Sequence, residues 1–463
     1  ITVKQDNSEE IVEYRARILN ERGREGYGVF RSFFNQNIQK IEIIEAKSSH
    51  EGNDFTVPEK NIEIKPVASE LNGFDQMMQA SVTFPNVSIG STIYIKLKVT
   101  TFKQPLPNYF SRTFYFGQNG VVKQSNINIT SELPLHILMN DPRQRLVMKE
   151  SRSGKIQTIS IRLKEGVNLY EEITNEPRNS FLSDDLLTRV MVSTFDSFEE
   201  FARASAVNFQ NTINEALPPM LETIRKEAQA APAIVDQINI VTSRLAEKIR
   251  YLTDQTTIEG RFSPRPLKTT VESAVGDCKD FSAATVAILN ALGHKAQIAL
   301  VTRGAGYIAP KKLLPSVECS NHAMVKVTAK DGKIFWIDPT NIVSLAGGLF
   351  PDIANRPAIV LDSQHPSYEY IPEIDPLHAQ TSIESDITLI NDLQHVTGKI
   401  TTRGEDTLSM AGWTLFQSEQ AIKEQIIKKI SGETTPVEMR VKLPDLSARI
   451  VPESIPVEYS FKQ

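Results

Sequence analysis

The sequence predicts an α+β protein in which a mainly helical middle region is flanked by two β-rich regions. Three observations carry this. Residues 1 to 175 alternate apolar and polar side chains with period two between Gly, Asn and Pro punctuation. From about Ser193 to Gly293 the apolar spacing changes to that of amphipathic and buried helices. From about residue 376 alternation returns. A chain of 463 residues exceeds one ordinary core, and its length suggests about three domains. The expected division is 1–175, an N-terminal β-sandwich; 176–372, the middle domain; and 373–463, a smaller β-rich C-terminal domain, cut short.

The alternating stretches of the first region are Glu10–Leu19, Ile38–Ala46, Asn61–Ala68, Met77–Phe84, Thr92–Thr101, Val121–Ile129, Arg145–Lys149 and Thr158–Leu163. Short strands at this spacing suggest a sandwich of roughly eight or more strands. No catalytic constellation occurs here, and His50 and His136 are isolated. Asn175-Glu176-Pro177 then opens a linker. Ser197 with Glu200 forms a capping box leading to Phe201 and Ala204. Pro218-Pro219 precedes a helix over Met220–Ala228. The pattern Ala233–Tyr251 sets Ile234, Ile238, Ile240, Val241, Leu245 and Ile249 on roughly one side. Such a stripe is core, assigned to packing around the next helix.

That helix organises the chain. Gly276-Asp277-Cys278-Lys279-Asp280 begins it, with Asp277 as N-cap and Asp280 completing an acidic cap. Ala283 to Leu292 is small or apolar on nearly every face, the composition of a buried helix, and Gly293 supplies its stop. Cys278 therefore occupies the first turn, where the macrodipole and free backbone N–H groups favour a thiolate. A lone cysteine is more often a small buried hydrophobe. Two further stretches change that balance. His322 starts an alternating strand, Asp331-Gly332 makes a hairpin turn, and Ile334–Thr340 forms the return strand, which carries Asp338 in its closing Asp338-Pro339-Thr340. The hairpin brings His322 and Asp338 together. A cysteine nucleophile, a histidine base and an orienting aspartate form the set that cysteine hydrolases need.

With those residues in view, Tyr251 to Thr340 resembles the transglutaminase-like core, a papain-like cysteine-enzyme superfamily. The family pattern is Gly-Asp-Cys opening a helix, a histidine strand, and a strand ending Asp-Pro-Thr; all three occur in order. Ile249-Arg250-Tyr251, Gly260-Arg261-Phe262 and Pro264-Arg265 resemble its lead-in to the cysteine. The resemblance implies that Cys278 is the nucleophile, His322 the base and Asp338 the orienter. Tyr251, Asp277 and Trp336 are the oxyanion or cleft candidates. For Tyr251 the alternative is a core tyrosine with a satisfied hydroxyl. Met324 departs from the family, many members having an aromatic two positions after the histidine; this touches the lining of the site. The N-terminal region, through Tyr14-Arg15-Ala16-Arg17-Ile18, Gly90–Ile95 and Phe110–Phe116, resembles the β-rich domain of unknown function that often precedes such cores in bacteria. By analogy with such domains it offers a surface for a binding partner. The resemblance implies a bacterial peptidase or amidase acting on a protein or peptide, ahead of a crosslinking transglutaminase or a non-catalytic scaffold. It also favours an exported, periplasmic or secreted, protein.

Composition narrows the field. A net charge of −5 argues against a nucleic-acid partner, and no run of eighteen apolar residues spans a membrane. The histidines show no paired metal-ligand spacing, so no metal or other cofactor is expected. Of the two cysteines, Cys319 lies three residues before His322, and two free thiols are expected rather than a disulfide. His294 reads as a surface C-cap partner. Arg261, Arg265 and Lys268 precede the cysteine as solvated charges, or with one of them holding a substrate carboxylate.

Ala296–Thr302 is a strand and Gly304–Pro310 a loop able to border a cleft; its glycines fit no phosphate motif. Ala358–Leu361 is the last core strand. Beyond it, Asp386–Asn391, His395–Thr402 and Thr407–Trp413 read as strands, Gln417–Ile430 as an amphipathic helix, and Arg440–Val441 and Ala448–Val451 as further strands. Ile1–Lys4 and Val457–Gln463 both read as strand interiors, so both ends look like those of a fragment, and the absence of a signal peptide is not evidence of a cytoplasmic home.

Overall fold

A computed structural model describes residues 1–67, 73–117, 120–170, 184–256, 261–304, 308–432 and 436–463. The first region is built on one long sheet of eight strands. Their order is Leu146–Ser153, Ile156–Leu163, Asn126–Ser131, Thr2–Val3, Ser8–Arg17, Thr92–Thr101, Gln39–His50, Asn53–Thr56. Two short sheets complete it. Val29–Asn35, Met77–Thr83 and Ile62–Pro66 form one; Ser111–Tyr115, Arg189–Ser193 and His136–Asn140 form the other. In Thr92–Thr101 every second residue, Ile93, Ile95 and Leu97, is buried, as a strand with one covered face requires. These residues pack with Phe34, Ala80 and Val82 of the first short sheet. A separate core joins Val3, Ile129, Ile159 and Ile161 to Phe110, Val190 and Val192 of the second.

Arg189–Ser193 was absent from the sequence-based expectations because it does not alternate. All five of its residues are buried, so it reads as a continuous run. It lies beyond residue 175 yet forms the centre of a sheet with Ser111–Tyr115 and His136–Asn140. The expected linker at 175–177 lies outside the described residues.

The middle region has the expected helices, at Phe198–Ile213, Pro219–Gln229, Ile234–Lys248 and Cys278–Ala291. Ser197 caps the first, its hydroxyl accepting from Glu200 N at 3.2 Å. They accompany an antiparallel five-stranded sheet ordered Ile334–Ile337, His322–Thr328, Lys295–Val301, Pro357–Leu361, Ser367–Tyr370. The cysteine helix lies on one face, where Phe281, Ala284 and Ile288 meet Val325, Val327, Phe335 and Ile337; Ile238, Val241 and Leu245 cover its other side. Each large apolar side chain fully buried in this way contributes about 1.5–3 kcal/mol. The opposite face carries Ala299, Met324, Trp336 and Val360 under Ile353 and Ile371.

Among the described residues the N-terminal region is tied to this middle region by strand pairing, by hydrogen bonds and by Leu106 and Tyr109, which join the helical core. Gly73–Phe74 pairs in parallel with Thr253–Asp254. Farther along, the segment leading to His322 is held by Arg189 Nη2 on Lys312 O at 3.0 Å and Ser193 Oγ on Pro315 O at 2.6 Å. Val317 N also donates to Tyr109 Oη at 3.0 Å.

The C-terminal part is an antiparallel sheet of Gln380–Ile390, Leu393–Arg403, Ser454–Lys462 and Val437–Lys442, covered by helices Glu405–Phe416 and Glu419–Ser431. The first helix corrects an expectation, since Thr407–Trp413 is not a strand. Its buried residues Thr407, Met410 and Ala411 fall at helical spacing and pack with Ile422, Ile426 and Val457. Ala448–Val451 is likewise not a strand and contributes a single bridge from Ile450 to Ser344. Among the described residues no helix is long and apolar enough to cross a membrane.

Candidate active site

The cysteine helix starts from a densely bonded cap. Asp277 Oδ1 accepts from Lys279 N at 2.9 Å and from Asp280 N at 3.5 Å, and Asp280 Oδ2 accepts from Asp277 N at 3.2 Å, completing the reciprocal box. Arg265 locks this cap. Its backbone N donates to Asp280 Oδ1 at 2.8 Å, while Nε and Nη2 reach Oδ2 at 2.9 and 2.7 Å. With the residue only 9% exposed, Arg265 is neither a solvated charge nor a substrate ligand, the two roles considered from sequence. Gly276 is required by close packing, because a Cβ there would sit 3.1 Å from Asp280 Cβ and 3.3 Å from Thr270 Cγ2. Asp277 is 2% exposed and its second oxygen accepts from Lys279 Nζ at 2.6 Å. It is a helix cap and not the cleft residue expected.

His322 opens its strand and Asp338 immediately follows the return strand, whose turn Gly332 takes a left-handed φ of 85°. The His322 Nε2 to Asp338 Oδ2 distance is 2.9 Å. Asp338 Oδ1 accepts from Thr340 N at 3.0 Å and Thr340 Oγ1 at 2.7 Å, and Arg303 Nη1 donates to Oδ2. Burial alone would raise the Asp338 pKa. The charge and hydrogen bond of His322, with Arg303, outweigh it and hold the carboxyl below its ordinary value. For His322 burial works toward a lower pKa, but the Asp338 charge and hydrogen bond prevail. The hydrogen bond and charge of Cys278 add to them, and the imidazole is pushed up to about 10. Asp338 thus engages the His322 ring at Nε2, and Cys278 acts on the same ring electrostatically.

Tyr251 reaches this neighbourhood because Arg250–Tyr251 pairs in parallel with Val275–Gly276, setting Tyr251 opposite Gly276. Burial, then the charges of Cys278 and Asp277, push its hydroxyl pKa up, so it remains a donor near the thiol. Trp336 does not line the site. Strand alternation turns Phe335 and Ile337 toward the cysteine helix and Trp336 toward the opposite core, where it is 6% exposed. Met324 faces that same core, so its departure from the family pattern leaves the site lining untouched.

Both cysteines are free. The Cys319 thiol donates to Leu314 O at 3.4 Å, and burial pushes it up to about 11. His294, in the turn after the cysteine helix, donates its backbone N to Leu289 O at 3.1 Å at the helix end, and its Nε2 lies 2.6 Å from Gln237 Oε1. Of the loop expected over 304–310, residues 305–307 lie outside the described residues. Sequence reasoning missed Arg303, Asp352 and Asn341. Arg303 bonds Asp338 and Asp352, 35 and 49 residues away, and no local spacing signals such partners.

Residues 4–166, less than half of the chain, match a family model described as "Domain of Unknown Function with solved-structure structure (DUF3857)". That agrees with the β-rich domain of unknown function expected there. Among solved structures the chain is similar to a "putative protease" from Parabacteroides distasonis ATCC 8503, with TM-score 0.60 and 14% identity, covering 100% of this chain and 91% of that chain. Another, a "putative cysteine protease" from Cytophaga hutchinsonii, aligns over 73% of this chain and 78% of that chain at 11% identity, with TM-score 0.20. At 14% identity the first likeness is one of fold, and the second carries no argument. No curated protein matches the chain.

Proposed function

We propose that this chain is a cysteine-dependent acyl-transfer enzyme with a papain-like, transglutaminase-like core, acting foremost as a peptidase or amidase. The observation that carries the reading is the His322 Nε2 to Asp338 Oδ2 bond at 2.9 Å to a fully buried carboxylate, with Cys278 near enough in the first turn of its helix to help hold the imidazole protonated. In this reading the catalytic domain begins after Arg189–Ser193, which belongs to an N-terminal sheet, and runs from the helix Phe198–Ile213 through the strand Ser367–Tyr370, flanked by the N-terminal sandwich and the C-terminal β-rich domain.

The chemistry follows from the placements. His322 holds the proton given up by Cys278, and the thiolate attacks a substrate amide carbonyl. The oxyanion is met by the N–H of Cys278, in the first helical turn where backbone donors lack intrahelical partners, and by the Tyr251 hydroxyl. Collapse of the tetrahedral species breaks the C–N bond as the imidazolium protonates the departing amine, leaving a thioester. Water, deprotonated by His322, then releases the carboxylic acid and regenerates the thiol. An amine in place of water gives a crosslink through the same thioester.

Peptide mass spectrometry tests this. Wild-type protein incubated with a complex peptide mixture is expected to produce cleaved or deamidated products that disappear with Cys278→Ala. Amine-linked products would assign crosslinking. A peptide population identical for both proteins would support a binding scaffold instead.

A further inference from the structure

We propose that Arg303 is a positioning residue that holds the His322–Asp338 pair in register by sharing the aspartate oxygen that His322 uses. The inference rests on the acyl-transfer reading and deepens it. Arg303 grips the two halves of the pair in different ways. Its backbone clasps Asn321, the neighbour of His322: Arg303 N donates to Asn321 Oδ1 at 2.7 Å, and Asn321 Nδ2 donates to Arg303 O at 2.9 Å. Its side chain reaches the other half, with Nη1 on Asp338 Oδ2, Nε on Asp352 Oδ2, and Nη2 on Asn341 Oδ1 at 2.9 Å. Asn341 Nδ2 returns to Asp338 O at 3.3 Å.

A surface ion pair chosen only for stability has no reason to end on this atom. The Asp338 side chain has no solvent exposure, and Thr340 occupies its other oxygen, so Oδ2 is the single point where His322 and Arg303 meet. A planar guanidinium held by three acceptors is a rigid brace, and lysine, with one charged nitrogen, reproduces its charge but not its geometry. Removing the guanidinium has opposed electrostatic effects on the thiolate–imidazolium pair, since the lost positive charge disfavours the thiolate but leaves Asp338 freer to hold the imidazolium. The loss of the brace that keeps the aspartate and the ring in register therefore decides the outcome.

The test is the rate of carboxamidomethylation of Cys278 by iodoacetamide, read by peptide mass spectrometry so that Cys319 is counted separately. The informative quantity is the ratio of rates at about pH 5.5 and about pH 9.5, because changed access alters both rates while a disturbed ion pair lowers the acidic one. Arg303→Met is expected to lower that ratio about tenfold, with Arg303→Lys between it and wild type. An unchanged ratio in folded Arg303→Met overturns the proposal. Asp352→Asn, which keeps Arg303 but removes its outer anchor, should lower the ratio less, and it decides the matter if Arg303→Met does not fold; no change there overturns the proposal. A wild-type ratio equal to that of a small model thiol would overturn the acyl-transfer reading itself, and the role of Arg303 with it.

Discussion

Asp338→Ala is expected to lower acyl-transfer turnover roughly 10⁴-fold, the scale seen when a triad carboxylate is lost and its histidine is no longer oriented. The same change should destabilise the fold by about 3–5 kcal/mol, since it strips the shared acceptor from His322 and Arg303 in a buried setting. The pH dependence has a definite sign. The His322 pKa is raised from 6.5 to about 10, so its contribution to stability is complete below about 6.5 and is lost as pH rises through about 10. The Asp338 pKa is lowered from 3.8, so its contribution is present above that value and is lost as pH falls through the lower folded pKa. The deficit of Asp338→Ala is therefore greatest between about 3.8 and 6.5 and shrinks as pH rises toward 10. Urea unfolding at several pH values, with ¹⁵N imidazole shifts of His322, checks both parts. A His322 midpoint unchanged by the substitution would contradict them.

Arg265→Met should be as costly to stability without touching the reacting atoms. It leaves the Asp280 carboxylate, 3% exposed, at the mouth of the cysteine helix without its cation. Breaking one side of such a buried pair costs about 3–5 kcal/mol. Adding Asp280→Asn should recover part of the loss, because the stranded charge goes with it, and the double-mutant cycle in urea measures the coupling. If Arg265→Met melts like wild type, the cap is not what holds Cys278 in place.

The sequence made the cysteine helix legible because its signals are local. Asp277 and Asp280 stand three residues apart, the apolar run follows at once, and Gly293 closes it. The His322–Asp338 contact was also readable, since one tight hairpin joins the two strands. What escaped depends on distance or on direction. Arg265 looked like surface charge because Asp280, its partner across the cap, lies fifteen residues away. Arg303 depends on contacts that only the closed sheet creates. Trp336 was placed in the cleft because proximity in sequence does not say which face a strand residue takes, and the alternation set by Phe335 and Ile337 turns it away. The strand Arg189–Ser193 was hidden by burial on both faces, and Thr407–Trp413 was read with period two where the packing follows a helical period.

The central claim is that Cys278 is acylated with the help of His322. It is tested most directly by mixing the protein with p-nitrophenyl acetate, quenching in acid, and locating acetyl groups by mass spectrometry. Acetyl on Cys278 that forms rapidly in wild type, turns over with time, and is greatly slowed in His322→Ala is the expected result. Acetylation confined to lysines, or Cys278 labelling equally fast in His322→Ala, would contradict it.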